Sequence, residues 1–130
     1  MKFVADVTQI RRARIWVVDE ATRAGAGDDV QRVVGLLASE LVTNAVKHGP
    51  RGGVVEVAVR QAGDRLRVAV RDESSRRPVR LEPGPTALSG RGVMLVDRLA
   101  SDWGVEPHVA AKTVWFEVPL QRGPRSEPSA

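Results

Sequence analysis

The sequence predicts an α+β fold, a two-layer sandwich in which a mostly antiparallel sheet is covered on one face by about three helices. Three observations lead to this prediction. Two consecutive segments have helical periodicity, two later pairs of segments alternate as strands do, and a short helical pattern lies between those pairs. Helices and strands that segregate in this way favour helices on one face of an antiparallel sheet.

The length and composition are those of an ordinary globular domain. The chain has 130 residues, of which 42% are hydrophobic and 28% charged, a size that buries about two thirds of the unfolded surface. We expect one domain over residues 1–120. Residues 121–130 are rich in Gly, Pro, Ser and charge, and we expect a disordered tail there.

Several classes of function are disfavoured by composition. The chain has no cysteine, which excludes disulfides and zinc-thiolate sites. The net charge of +4 comes from scattered arginines, aromatic content is 4% and there is no tyrosine, so direct nucleic-acid binding is not expected. The N-terminus lacks an apolar signal sequence and no segment is long enough to span a membrane, so we expect a cytoplasmic protein.

The first half of the chain predicts an edge strand and two helices. Met1 to Val7 has a short strand alternation, and apolar residues recur at helical spacing from Ile10 to Ala24. Glycines end that run. Asp28 and Asp29 suit the start of a second helix, which Gly49 and Pro50 end.

The second helix carries an unusual polar stripe. Glu40, Asn44 and His48 are four residues apart and therefore lie one above another, with Lys47 beside them. Taken alone, such a stripe is ordinary for a surface helix, because short matches are often false. Other parts of a site are needed before it indicates a function. The stripe borders the apolar positions Leu37, Leu41 and Ala45.

A first hairpin is predicted around the turn from Gln61 to Asp64. The period of two that puts Leu66, Val68 and Val70 on the core face also puts Asp72 there. A charge on a core face is costly and usually has a partner. The alternative is that the strand has already ended and Asp72 only begins a turn.

The segment from Glu73 to Arg91 is rich in Pro and Gly and has no clear periodicity, which predicts a mobile lid. It ends in Ser89-Gly90-Arg91-Gly92, after which Val93 to Leu99 predicts a short helix. Glycines that enter a helix N-terminus can hold an anion. No P-loop and no complete dinucleotide fingerprint occurs.

A second hairpin is predicted from Ala100 to Glu106 and from Lys112 to Leu120. One of its faces is apolar. The other face carries Thr113, Trp115 and Glu117.

In this order the motifs resemble a known family. The set ELVTNAVKH, a strand ending in Asp72, a lid, SGRGVMLV and KTVWFEV is similar to the Bergerat-fold (GHKL) ATP-binding domains, and most of all to stand-alone anti-sigma-factor serine kinases. The resemblance covers the chain from about Phe3 to Leu120. It implies a histidine kinase-like ATP-binding domain that uses ATP and Mg²⁺.

The resemblance also implies a role for each site residue. Glu40 would be the catalytic base, Asn44 would bind Mg²⁺ through its side-chain oxygen, and Asp72 would accept a hydrogen bond from the adenine amino group. Thr113 would help to fix Asp72 and the adenine. The remaining positions would face phosphate or the nucleotide: Lys47, His48, Ser74, Gly90, Arg91 and Gly92.

One departure affects the nucleotide site. The family's first glycine box reads Asp-x-Gly-x-Gly, whereas Ser74 and Arg76 occupy the two glycine positions after Asp72. Two functions therefore stay open: a kinase that phosphorylates a serine of an antagonist protein, with or without sequestering a sigma factor, and a weak or inactive partner-switching module. A detached histidine-kinase catalytic domain is less well supported, because the chain has no dimerising helix pair. The resemblance is compatible with a homodimer.

Overall fold

A computed structural model describes residues 1–73 and 90–120, and for residues 90–93 it describes the helical backbone alone. Most of the expected lid, including Ser74, and the expected tail lie outside these ranges. The described chain forms the following elements in order: β1 (Lys2–Val4), α1 (Gln9–Arg23), α2 (Asp28–His48), β2 (Val54–Ala62), β3 (Arg65–Asp72), α3 (Gly90–Leu99), β4 (Asp102–His108) and β5 (Ala111–Pro119).

The five described strands form one antiparallel sheet in the order β1-β2-β3-β5-β4. The β2–β3 hairpin closes tightly, with Ala62 paired to Arg65. Its turn contains Gly63 at a φ of 64°, a left-handed conformation that glycine adopts without steric cost. The predicted hairpins are therefore confirmed.

The helices cover one face of this sheet. Helix α2 contacts β2, β3 and β5, α1 packs against α2 and β2, and α3 contacts α2 and β4. The two-layer α+β fold predicted from the sequence is confirmed. The largest side chains that the layers bury fully are those of Phe116, Leu37, Leu66, Val17, Val34, Val42, Val55, Val57, Val68 and Val96.

Helix α2 begins where the sequence predicts. Gly27 is its N-cap, and Asp28 and Asp29 occupy its first turn, where carboxylates interact favourably with the helix dipole. Lys47 and His48 occupy the last turn, where positive charge is favoured for the same reason.

Three boundaries differ from the sequence-based expectation. Strand β1 ends at Val4, because Asp6 Oδ1 accepts a hydrogen bond of 2.9 Å from the Thr8 backbone N–H and turns the chain into α1. Strand β4 begins at Asp102. Helix α3 begins at Gly90, so Gly90 and Gly92 lie in its first turn and not in a loop ahead of it.

The opposite face of the sheet carries charged and aromatic side chains. Glu117 accepts from Arg67 Nε at 3.0 Å and from Arg65 Nη1 at 3.3 Å. The Arg67 guanidinium also lies 3.8 Å from the centre of the Trp115 ring, a cation–π arrangement. This network ties β3 to β5 on the side away from the helices.

Candidate functional site

The candidate site lies where the end of α2 meets the end of β3. A β-carbon placed on Gly49 would lie 2.7 Å from the Ala45 carbonyl oxygen and 3.7 Å from Asp72 Cβ. Only glycine allows the chain to leave α2 so close to its own last turn. The C-terminal end of α2 and the inward carboxylate of β3 are therefore neighbours.

The two N-terminal members of the stripe, Glu40 and Asn44, are shielded from solvent at least in part. Asn44 is 5% exposed, and Glu40 has intermediate exposure. Asn44 Nδ2 donates to the Glu40 backbone carbonyl oxygen at 2.9 Å, a bond that the spacing of four residues within a helix permits. Because the amide is planar, its oxygen is directed away from that carbonyl. The structure thus directs the oxygen of Asn44, the atom that a hard cation prefers, away from the helix backbone.

The C-terminal end of the stripe differs in its exposure to solvent. Lys47 and His48 are both exposed, at the last turn of α2. They are beside the site but not enclosed by it, and their expected contact with phosphate stays a prediction.

Asp72 faces the core, as its strand parity predicts. Strand β3 continues through Asp72, which pairs with Val55 on β2 and with Lys112 on β5. The residue is 3% exposed. The alternative, in which the strand has ended and Asp72 begins a turn, is therefore wrong.

The partner of Asp72 is a lysine that the sequence analysis did not single out. Lys112 Nζ lies 3.5 Å from Asp72 Oδ2, and the two side chains are 11% and 4% exposed. The signal was present in the sequence, because Lys112 has the same strand parity as the apolar face of β5. Parity predicts the face, but only the register of β3 with β5 brings these two residues together.

The expected role of Thr113 is wrong in one respect. Thr113 pairs with Arg71, one position away from the Asp72–Lys112 pair, and successive side chains of a strand point to opposite faces. Its hydroxyl oxygen is 3.1 Å from His108 Nε2, to which it is hydrogen-bonded. Thr113 therefore lies on the face away from the helices and does not hold Asp72.

The positions that are expected to bind phosphate are described only in part. The backbones of Gly90, Arg91 and Gly92 form the first turn of α3, so backbone N–H groups of that turn lack partners within the helix and can donate hydrogen bonds to an anion. Helix α3 contacts α2. Ser74 lies outside the described residues, and its role stays a prediction.

Groups of complementary chemistry lie on the C-terminal half of α2 and on α3, a helix that contacts α2. A partly buried carboxylate at Glu40 can take a proton, and the Asn44 oxygen can ligate a hard cation. The start of α3 can bind negative charge. These are the parts that phosphoryl transfer requires, since its catalysis is mainly positioning and electrostatic stabilisation.

Comparison with protein families decides the assignment. The family model of the histidine kinase-like ATPase domain matches residues 3–117, which is most of the chain. The chain belongs to the histidine kinase-like ATPase domain family. The GHKL resemblance inferred from the motifs is thereby confirmed, and ATP is the nucleotide that these ATPase domains use.

Several solved structures have a similar fold. The RsbU and RsbW domains of Rv1364c from Mycobacterium tuberculosis match with a TM-score of 0.68 at 22% identity, over 98% of this chain and 34% of that one. The blue-light activated histidine kinase EL346 from Erythrobacter litoralis matches with a TM-score of 0.61 at 23% identity, over 81% and 40%. The catalytic domain of the histidine kinase ThkA matches with a TM-score of 0.59 at 15% identity, over 92% and 96%.

At these identities the structural matches support the fold. The chain spans about a third of the length of the Rv1364c structure and two fifths of the EL346 structure. A comparison with curated proteins gave no match. Within residues 1–73 and 90–120, no helix has both the length and the apolar character needed to cross a membrane.

Proposed function

We propose that this ATPase-family domain is a regulatory protein of the anti-sigma-factor kinase type, which transfers the γ-phosphate of Mg-ATP to a serine of an antagonist protein. The observation that carries the proposal is the pair formed by Glu40 and Asn44, one helical turn apart on α2, the helix whose C-terminal end lies beside Asp72. A base and a cation ligand one turn apart can act on the same phosphate.

Glu40 is the proton acceptor in this proposal. Its carboxylate accepts a hydrogen bond from the partner's serine hydroxyl and takes the proton as the oxygen becomes a nucleophile. Glu40 has intermediate exposure, so the carboxylate can be reached from solvent while its helix backbone is fixed by packing. A base held on a rigid helix loses little entropy when it is positioned.

The described residues fit Mg-ATP at two points. The Asn44 oxygen, directed away from the helix backbone by the bond from Nδ2 to Glu40, suits a hard cation that prefers oxygen. The first turn of α3 suits phosphate. When bound, Mg-ATP supplies the phosphoryl group and neutralises its developing charge.

The domains present in a similar solved structure support a protein substrate. The similar structure of Rv1364c contains RsbU and RsbW domains, which supports a place in partner-switching regulation. In this reading the partners are an antagonist protein, a sigma factor or both. Sequestration of a sigma factor would use the same domain without further chemistry.

Phosphate transfer tests the proposal. The full chain is mixed with radiolabelled Mg-ATP and candidate antagonist proteins, and label on serine is measured for the wild type, Glu40→Gln and Glu56→Gln. Glu56 is an exposed carboxylate on β2 and serves as the control. We expect Glu40→Gln to lower the rate by about a hundredfold or more and Glu56→Gln to leave it unchanged. Full activity in Glu40→Gln would remove Glu40 from the role of base.

A second function, a partner-binding module that uses ATP poorly, is favoured by one specific observation. Ser74 and Arg76 stand in the two glycine positions after Asp72, where glycine lets the backbone approach a base closely. In that case the chain binds a sigma factor or antagonist with the same affinity in the presence and absence of Mg-ATP. A kinase-type regulator would show nucleotide-dependent binding.

A further inference from the structure

The buried pair of Asp72 and Lys112 lies at the position where the family resemblance implies that the adenine base binds. The two side chains are 4% and 11% exposed and their charged atoms are 3.5 Å apart. Both residues face the helices, since each shares the parity of the buried positions on its strand. The ion pair is therefore part of the inner face and not a surface contact.

The surroundings of Asp72 favour a cation beside its carboxylate. The Gly49 geometry places Asp72 beside the last turn of α2, where the helix dipole presents partial negative charge. Burial also disfavours a charged carboxylate. Lys112 offsets both effects. On its other side Lys112 pairs with Pro107 of β4, a residue that carries no charge to compete for the ammonium group.

We propose that Lys112 determines the affinity and base selectivity of the nucleotide site by competing with the adenine amino group for Asp72. The inference rests on the proposed function, because it assumes that a nucleotide binds at this end of α2. It adds Lys112 as a residue that the adenine amino group must either displace from Asp72 or share the Asp72 carboxylate with. Lys112 thus weakens the recognition of adenine while it stabilises the empty fold.

The physical reason is a difference in charge. An amino group of adenine is a neutral donor, whereas Lys112 is an ammonium whose attraction to Asp72 is little screened in the interior. Replacing Lys112 by the base would leave a buried ammonium without its carboxylate, which is strongly unfavourable. The amino group therefore gains less from Asp72 than it would from a carboxylate with no such cation.

Calorimetric titration at pH 8 tests this inference on the full chain with three magnesium-bound ligands. ATP carries the amino group, purine riboside triphosphate lacks it, and inorganic tripolyphosphate lacks the base altogether. The proteins are the wild type, Lys112→Met, Lys112→Arg and Lys2→Met. Lys112→Arg keeps the buried charge, and Lys2→Met removes an exposed lysine of β1 as a control for net charge.

We expect Lys112→Met to bind ATP at least about tenfold more tightly than the wild type does, because a hydrogen bond to a charged group contributes on this scale. Purine riboside triphosphate and tripolyphosphate should not gain, and the two control variants should behave as the wild type. In the wild type itself, ATP and purine riboside triphosphate should bind with equal affinity within about threefold. That last comparison needs no substitution and stands even if Lys112→Met does not fold.

Two outcomes would overturn the inference. One is a wild type that prefers ATP to purine riboside triphosphate by tenfold or more, and the other is a folded Lys112→Met that binds ATP no better. If tripolyphosphate and ATP both bind in these cases, the proposed function survives and only the role of Lys112 fails. If no ligand binds any variant, both the inference and the nucleotide site fail.

Discussion

Lys112 lies directly opposite Asp72 on the neighbouring strand, and its Nζ is 3.5 Å from the Asp72 carboxylate in the interior of the protein. This contact has a consequence for folding that does not depend on any ligand. Removing one partner of a buried ion pair leaves the other charge without compensation, and that loss typically costs about 3–5 kcal/mol.

We therefore predict that Asp72→Asn lowers the free energy of unfolding by about 3 kcal/mol. Urea denaturation at pH 7 measures the change. Asp64→Asn is the matched control, because Asp64 is exposed in the β2–β3 turn and its substitution should change stability by less than about 0.5 kcal/mol. Equal stability of the Asp72→Asn variant and the wild type would mean that the pair contributes nothing to the fold.

The double variant Asp72→Asn/Lys112→Met separates the pair from its parts. Because it removes both charges, we expect it to recover at least half of the stability lost in Asp72→Asn. A double variant as unstable as the sum of the two single variants would show that the residues do not act as a pair. The readout is again the midpoint and slope of urea unfolding.

Glu117, on the other face of the sheet, predicts that the free energy of unfolding depends on pH. The hydrogen bond from Arg67 lowers the pKa of Glu117, and the Arg65 side chain adds to this against the opposing effect of burial. A lowered folded-state pKa means that the stabilisation is present above the unfolded pKa of about 4.3 and is lost as the pH falls through the folded pKa.

We expect Glu117→Gln to be less stable than the wild type by about 1 kcal/mol at pH 7, since partly buried charged hydrogen bonds contribute on this scale. The difference should shrink as the pH falls below about 4. Urea unfolding across this range measures it. Glu20→Gln, at a more exposed pair with Arg23 on α1, should show a smaller difference at pH 7. A Glu117→Gln difference that stays constant down to pH 2 would contradict the cause given for the pKa shift.

The end of α2 predicts a steric effect at Gly49. A β-carbon there would lie 2.7 Å from the Ala45 carbonyl oxygen, closer than backbone and side chain can approach. We expect Gly49→Ala to cost about 1–3 kcal/mol and to displace the end of α2 from Asp72. Gly27→Ala is the control, because nothing lies within 4 Å of its β-carbon position, and it should cost less than about 1 kcal/mol. Thermal unfolding of both variants tests this, and equal melting temperatures would contradict it.

Much of the fold follows from local patterns. The helical spacing from Ile10 to Ala24, the acidic start of α2 and the strand alternation around the Gly63 turn each depend on neighbouring residues, and the structure places these elements as predicted. The inward position of Asp72 follows from parity once β3 continues through that residue, as the structure shows. Where a boundary was wrong, as at α3, the glycines suggested a loop, although Gly90 and Gly92 lie within the helix.

The site was less predictable because it depends on register. Parity places Lys112 on the inner face of β5, but a shift of the β3–β5 pairing by two residues would keep every face and place Lys112 away from Asp72. Thr113 was assigned to Asp72 from the family resemblance. The pairing of Thr113 with Arg71 puts it on the other face, a fact that the strand pattern itself already indicated.

The most direct test of the nucleotide site is a calorimetric titration of ATP into the full chain, with and without Mg²⁺, for the wild type, Asn44→Ala and Gln31→Ala. Gln31 is the matched control, because its amide also donates to a backbone carbonyl, that of Ala26 at 2.9 Å, near the opposite end of α2. Circular dichroism confirms that each variant is folded before it is titrated.

We predict that the wild type and Gln31→Ala bind ATP in a Mg²⁺-dependent way, and that Asn44→Ala loses about tenfold or more of the Mg-ATP affinity, since a cation ligand is removed. Wild-type protein that binds no ATP, or an Asn44→Ala variant that binds Mg-ATP as tightly as the wild type, would contradict the assignment of the α2 stripe to the nucleotide site.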